Sequence, residues 1–253
     1  MILKKTVIVA GLLTCLNSVS AQTDYYRFYK SKSEKATQGW ILLLPGSSGF
    51  TIFDDSTFYD RKAAALNKSG YDVLLLDYKS FYRNSVSADK PKGTTGEKIS
   101  WVVKQLLAQA KQRQQIDTTK KGHIIGWSLA GEGVFRLLKD TAFITGNNIN
   151  SAALFYPSNN EEIEITTAIP VLLQMGGSDK TAVPDKIKKQ VKSFEKIKLV
   201  IYPGSFHGFD VETITQPKLI KFPPVIGKKH TFLYNKEAAE KAYSELVLFL
   251  NKT

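Results

Sequence analysis

Cysteine is almost absent from this chain. Cys15 is the only one, so no intramolecular disulfide can form and stability must come from burial of apolar surface. Histidine is nearly as scarce: His123, His207 and His230 are too dispersed to suggest a metal site, and neither a metal nor a cofactor is implied. No stretch beyond residue 21 is apolar for long enough to cross a bilayer as a helix. Basic residues outnumber acidic ones, 35 against 23, for a net charge of +12, but they are scattered or sit in short clusters such as Lys186-Ile187-Lys188-Lys189. A basic stripe interleaved with aromatics is missing, which argues against a nucleic-acid partner. A soluble basic surface accounts for the charge; attraction to anionic surfaces or acidic substrates is the functional alternative. Internal repeats, low-complexity segments and linkers are also missing, so residues 22–253 read as one domain.

What is present begins with an address. Lys4 and Lys5 precede an apolar stretch from Thr6 to Leu16 and a small-residue site at Val19-Ser20-Ala21. This pattern predicts a secretory signal over residues 1–21, with export to the periplasm or the medium; an uncleaved anchor is the competing reading. Cleavage would remove Cys15 and leave no segment for stable membrane insertion.

Continuous apolar runs then alternate with helical patterns. Trp40–Leu44 reads as a strand buried on both faces, Ser151–Pro157 as another buried strand, and Tyr71–Tyr78, the run ending at Trp127, Pro170–Gly176 and Ile197–Tyr202 as further strands. Helices are expected from Asp54-Asp55-Ser56 to about Lys68, from Thr94 or Thr95 through Gln112, after Ser128, and from Asp185 to Lys196. Such alternation implies βαβ crossovers: an α/β fold with a mainly parallel central sheet and helices on both faces. Residues 22–39 carry an edge strand or a packed N-terminal arm.

The chemistry sits at strand C-terminal ends. His123-Ile124-Ile125-Gly126-Trp127-Ser128-Leu129-Ala130-Gly131 reads as strand, sharp turn and helix, with Ser128 at the apex and small residues where strand and helix must close. Ala130 stands where the usual Gly-x-Ser-x-Gly pattern has its second glycine. Such a turn lifts the Ser128 hydroxyl clear of the sheet and aims the Leu129 N–H at an oxyanion. A helix N-cap is the plain alternative for this serine. The loop Pro45-Gly46-Ser47-Ser48 offers a second oxyanion donor, the Ser47 N–H, with Ser48 behind it. Past the next strand, Tyr78, Phe81, Tyr82 and Arg83 are expected to line a substrate pocket, together with Trp127.

Two later loops supply an acid and a base. Gly177-Ser178-Asp179 and Ser205-Phe206-His207 each follow a strand, so the chain order is Ser128, Asp179, His207. Serine needs a base at neutral pH, the imidazole can take and return its proton, and the carboxylate holds the imidazole tautomer. Asp210 is the rival acid, His230 the backup base, and His123, at the far end of its strand, a structural residue.

These stretches resemble the dienelactone hydrolase family of the α/β-hydrolases. The similarity is carried by Gly126-Trp127-Ser128-Leu129-Ala130-Gly131, Gly177-Ser178-Asp179 with Val183-Pro184, Tyr202-Pro203-Gly204 through His207-Gly208-Phe209, and the final helix with Ala238, Ala239 and Ala242 ahead of Phe249-Leu250. The resemblance implies an α/β-hydrolase fold from Trp40 onward and hydrolysis of an acyl compound. The family's best-known members use cysteine as nucleophile; Ser128 here points away from a true dienelactone substrate and towards a serine esterase. The expected function is an exported serine hydrolase that cleaves a small-molecule ester, lactone or related acyl compound through an acyl-enzyme. A small peptidase of the same fold and a catalytically silent binding protein are the alternatives. Residues 210–230 look longer than the usual link to the last helix and are expected to form a lid or an extended surface loop.

Overall fold

The apolar runs become strands because both of their faces are covered. Every residue of β2 (Gly39–Leu44), β3 (Tyr71–Leu76), β4 (Gly122–Trp127) and β6 (Val171–Gly176) is buried in this computed structural model, which describes residues 25–31, 37–221 and 229–253. The predicted signal at residues 1–21 lies outside the described residues. With β1 (Tyr26–Tyr29), β5 (Ile149–Phe155) and β7 (Ile197–Tyr202) they form a seven-stranded sheet in the order β1-β3-β2-β4-β5-β6-β7. All neighbours are parallel except β1, an edge strand that runs antiparallel to β3. The parallel strands therefore place all their C-terminal ends along one side of the molecule, where ligands bind in open α/β sheets.

Side-chain alternation distributes the helices over two faces. Trp127 and Phe155 are register partners whose rings stack at 4.9 Å, and they meet Leu66 of α1 (Phe58–Lys68) and Leu246 of α7 (Lys236–Leu250). One residue earlier, Gly126 and Leu154 point the opposite way, towards Val134 of α4 (Ala130–Lys139). Helix α3 (Thr95–Gln112) packs on α4 and starts with a capping box: the Glu97 N–H donates to Thr94 Oγ1 and the Thr94 N–H donates to Glu97 Oε2. Such a cap contributes about 1 kcal/mol.

Several boundaries differ from the sequence expectation, each for a local reason. The run from Tyr71 leaves the sheet after Leu76 because the Asp77 carboxylate accepts the Ser80 N–H at 3.0 Å and starts a short helix, α2 (Tyr78–Asn84). Asp55 does not begin α1; its carboxylate is held by Thr57 and Arg61, and the helix starts at Phe58. Asp140 caps an additional helix, α5 (Thr141–Gly146), by accepting the Phe143 N–H. Helix α6 (Pro184–Gln190) stops short of Lys196 because Val191 bridges to Ile165 in extended form. The stretch expected as a lid or loop contains a hairpin, β8 (Lys218–Lys221) and β9 (Lys229–Phe232), whose register pairs Ile220 with His230.

Candidate active site

Ser128 follows the last residue of β4 with φ 49°, a left-handed conformation that a serine adopts only when its surroundings enforce it. Its N–H donates to Phe155 O at 3.0 Å, and its carbonyl accepts the N–H groups of Gly131 and Ser158, both at 2.9 Å. The backbone is thereby pinned on both sides and the hydroxyl is free to project. The neighbours must be small: a Cβ on Gly131 would lie 2.6 Å from Pro157 Cβ, and one on Gly126 would lie 3.1 Å from Ala130 Cβ. Ala130 thus fits the turn with its single methyl.

The structure brings Ser128, His207 and Asp179 into one hydrogen-bonded relay. His207 Nδ1 is 2.7 Å from Asp179 Oδ2, and His207 Nε2 is 2.9 Å from Ser128 Oγ. A carboxylate can only accept, so Nδ1 carries the hydrogen and Nε2 is left to accept the serine proton. Asp179 Oδ1 is occupied as well, by the N–H groups of Thr181 at 2.7 Å and Ala182 at 3.0 Å. Asp179 and His207 are 4% and 2% exposed, so this ion-pair-ready couple is shielded from water, whereas Ser128 is only part-buried.

Two backbone donors face the same site. Leu129, at the start of α4, and Ser47, past the end of β2, both line the cavity, and neither N–H has an acceptor among the described residues. The Ser47 loop is braced from behind: the Gly46 N–H donates to Tyr59 Oη at 2.8 Å, the Tyr78 hydroxyl donates to Gly46 O at 3.1 Å, and Lys79 Nζ donates to Ser47 O. Burial raises the pKa of both tyrosines, so both stay protonated at ordinary pH.

The cavity in front of Ser128 measures about 1170 Å³. Its walls come from the loop Gly46-Ser47-Ser48 and Ile52 and Phe53, from Tyr156 to Asn160 after β5, from Lys180 to Gln190 around α6, and from Ile220, His230 and Phe232 of the hairpin. The hairpin is a wall in its own right: Phe232 bridges to the His207 backbone and stands edge-on to its ring at 5.0 Å. A second cavity, bordered by Trp127, Phe155 and Asp210, measures only about 10 Å³, too small for any substrate.

Of the residues expected to line a pocket, Trp127 does so, while Tyr78, Tyr82 and Arg83 do not. The helix that starts at Tyr78 carries them away. Tyr78 is buried as a brace of Gly46, Tyr82 donates to Pro91 O and packs on Trp101, Phe81 packs on Tyr25 and Trp101, and Arg83 is exposed beside Ser80. Asp210 accepts from Trp127 Nε1 and the Tyr156 hydroxyl and does not touch His207. His230 reaches Thr181 Oγ1 at 2.9 Å rather than Ser128. His123 bonds Ser151 at 2.8 Å, and burial lowers its pKa to about 4, which keeps it neutral at the far end of β4. Tyr156 is the chief residue that sequence reasoning missed: it was read inside the strand Ser151–Pro157, whereas β5 ends at Phe155 and leaves Tyr156 at the cavity wall.

The chain from residue 41 to residue 253 matches the family model described as the dienelactone hydrolase family. The protein belongs to that family. Among curated proteins, no sequence matches this chain. Among solved structures, this dienelactone hydrolase family member is similar to a provisionally assigned dienelactone hydrolase from Klebsiella pneumoniae, with TM-score 0.64 at 12% identity over 90% of this chain and 92% of that one. It is also similar to the carboxylesterase Cest-2923 from Lactobacillus plantarum, with TM-score 0.54 at 15% identity over 90% and 91% of the two chains. A monoacylglycerol lipase from Paleococcus ferrophilus gives TM-score 0.57 at 14% identity over 89% and 97%. At these identities the neighbours establish a shared α/β-hydrolase fold, and the family membership marks the chain as a hydrolase.

Proposed function

We propose that the protein is a serine hydrolase that cleaves an ester, lactone or related acyl compound through an acyl-enzyme. The observation that carries this reading is the unbroken relay from Ser128 Oγ through His207 to the buried Asp179, opening into a large cavity beside two N–H groups that have no acceptor among the described residues. Ser128 Oγ attacks the substrate carbonyl while His207 Nε2 takes its proton, and Asp179 stabilises the imidazolium. The Leu129 and Ser47 N–H groups stabilise the oxyanion. His207 then returns the proton to the leaving oxygen, and water hydrolyses the acyl-enzyme by the same path. An oxygen leaving group is favoured in this reading by the esterase and lipase neighbours.

The reading includes export, supported by Lys4, Lys5, the apolar run and Val19-Ser20-Ala21. The test is the intact mass of protein produced from the full-length gene and incubated with a small fluorophosphonate, beside Ser128→Ala and His207→Ala. One adduct on wild type and none on either variant is expected, on a chain that begins near Gln22. A folded wild-type protein without adduct would refute the serine-hydrolase reading; a retained residue 1–21 segment would refute signal cleavage, and recovery of the protein only from the cytoplasmic fraction would refute export. A panel of esters, lactones and dipeptide amides, followed by rates, then separates esterase from peptidase.

A further inference from the structure

Asp210 is a buried carboxylate, 2% exposed, that the relay does not use. It is three residues past His207, and its two oxygens are committed to different strand ends. Oδ2 accepts the Trp127 Nε1–H at 2.9 Å, and Oδ1 accepts the Tyr156 O–H at 2.6 Å. Lys62 Nζ of α1 stands 3.9 Å from Oδ2 and balances its charge. Trp127 immediately precedes the nucleophile. Tyr156 packs against the base, with ring centroids 4.4 Å apart and planes tilted by 57°, and is itself held at φ 39°. A bulky residue persists in that conformation only where several contacts oblige it to. The Tyr156 N–H donating to Gln174 O at 2.7 Å and the hydroxyl donating to Asp210 are two such contacts.

From this geometry we infer that Asp210 is a positioning residue, which locks the base-bearing loop to the nucleophile turn and holds Tyr156 against the His207 ring. The inference rests on the serine-hydrolase reading. Asp179 fixes one edge of the imidazole but says nothing about how far the loop stands from Ser128. The relay works only while Nε2 and Oγ keep hydrogen-bond distance, and a displacement of about 1 Å costs on the order of 10²-fold in rate. One carboxylate joining the three strand ends supplies that constraint.

The two polar substitutions at this site separate positioning from mere stability. In Asp210→Asn, the amide oxygen can accept from Trp127, which only donates, while the amide nitrogen donates to Tyr156 Oη, which can also accept. Asparagine therefore keeps both ties, Asp210→Ala keeps neither, and Tyr156→Phe keeps the ring but loses its tie. The measurements are kcat and KM on an activated ester, the rate of fluorophosphonate inactivation, and the melting temperature of each variant. Asp210→Ala is expected to lose about 10²-fold in kcat and in inactivation rate with KM little changed, Tyr156→Phe about tenfold, and Asp210→Asn less than either. An alanine variant that melts earlier but keeps wild-type kcat would overturn the inference, as would asparagine no better than alanine. If alanine does not fold, a folded Tyr156→Phe with wild-type kcat overturns it. A wild-type protein that takes up no probe would instead refute the hydrolase reading on which all of this stands.

Discussion

Replacing Asp179 by asparagine should abolish nearly all activity while leaving the fold intact, and the surroundings of the carboxylate dictate why. Oδ1 accepts the N–H groups of Thr181 and Ala182, so an asparagine must present its carbonyl oxygen there. Turning the amide round would leave two buried donors facing a third, at a cost of about 1–3 kcal/mol for each bond lost. The amide nitrogen must then face His207 Nδ1, where the carboxylate oxygen now lies at 2.7 Å. Nδ1 becomes the acceptor, the ring hydrogen moves to Nε2, and the nitrogen that should take the Ser128 proton now carries one of its own. A wrong tautomer of this kind costs on the order of 10⁴-fold in kcat, about 5 kcal/mol of transition-state stabilisation. The assay is hydrolysis of an activated ester and the rate of fluorophosphonate labelling, with circular dichroism and melting temperature as the fold control. A folded Asp179→Asn protein within tenfold of wild-type kcat would refute the tautomer argument and the place given to Asp179.

Two predictions concern stability and pH. Glu132 on α4 is 1% exposed; Oε1 accepts the Asn160 N–H at 2.6 Å, but Oε2 is buried without a hydrogen bond among the described residues, and burial raises its pKa. The folded state disfavours the charged form, so this residue costs stability increasingly as pH rises through its folded pKa, and Glu132→Gln should raise the melting temperature more at pH 8 than at pH 5. An equal or opposite change at the two values would contradict this. Asp55 behaves in the reverse sense: hydrogen bonds from Arg61 lower its pKa to about 2, so its contribution is complete above about pH 4 and fades as pH falls towards 2. Because Arg61 is 43% exposed, water screens the pair and the contribution is about 1 kcal/mol rather than the full linkage value. Acid titration of Asp55→Asn should show a shallower loss of stability over that window than wild type, and parallel curves would exclude the effect.

Local pattern was enough to determine the layered architecture and the order of the chemistry along the chain. A run such as Trp40-Ile41-Leu42-Leu43-Leu44 or Val171-Leu172-Leu173 can be satisfied only by burial on both faces, which makes it a central parallel strand wherever it stands in the sequence. Once Ser128 and Asp179 each follow such a strand and His207 follows β7, the half-exposed parallel strand at the sheet edge, the common direction of parallel strands sends all three to one end of the sheet. What the tertiary structure alone decided are the matters of side and neighbour. Asp179 and Asp210 flank the same histidine in the sequence; only the packing shows that one carboxylate meets Nδ1 while the other turns to Trp127 and Tyr156. Tyr78 looked like a pocket residue until Asp77 started a helix there and buried it behind Gly46. The hairpin that brings Ile220 and Phe232 over the cavity carries no periodicity strong enough to announce where its faces point. Strand and helix signals arise from residues a few positions apart, and the sequence displays those directly. Contacts between residues 28 to 83 positions apart, such as His207 with Asp179 or Asp210 with Trp127, are set by how the layers close, and only the folded chain contains that information.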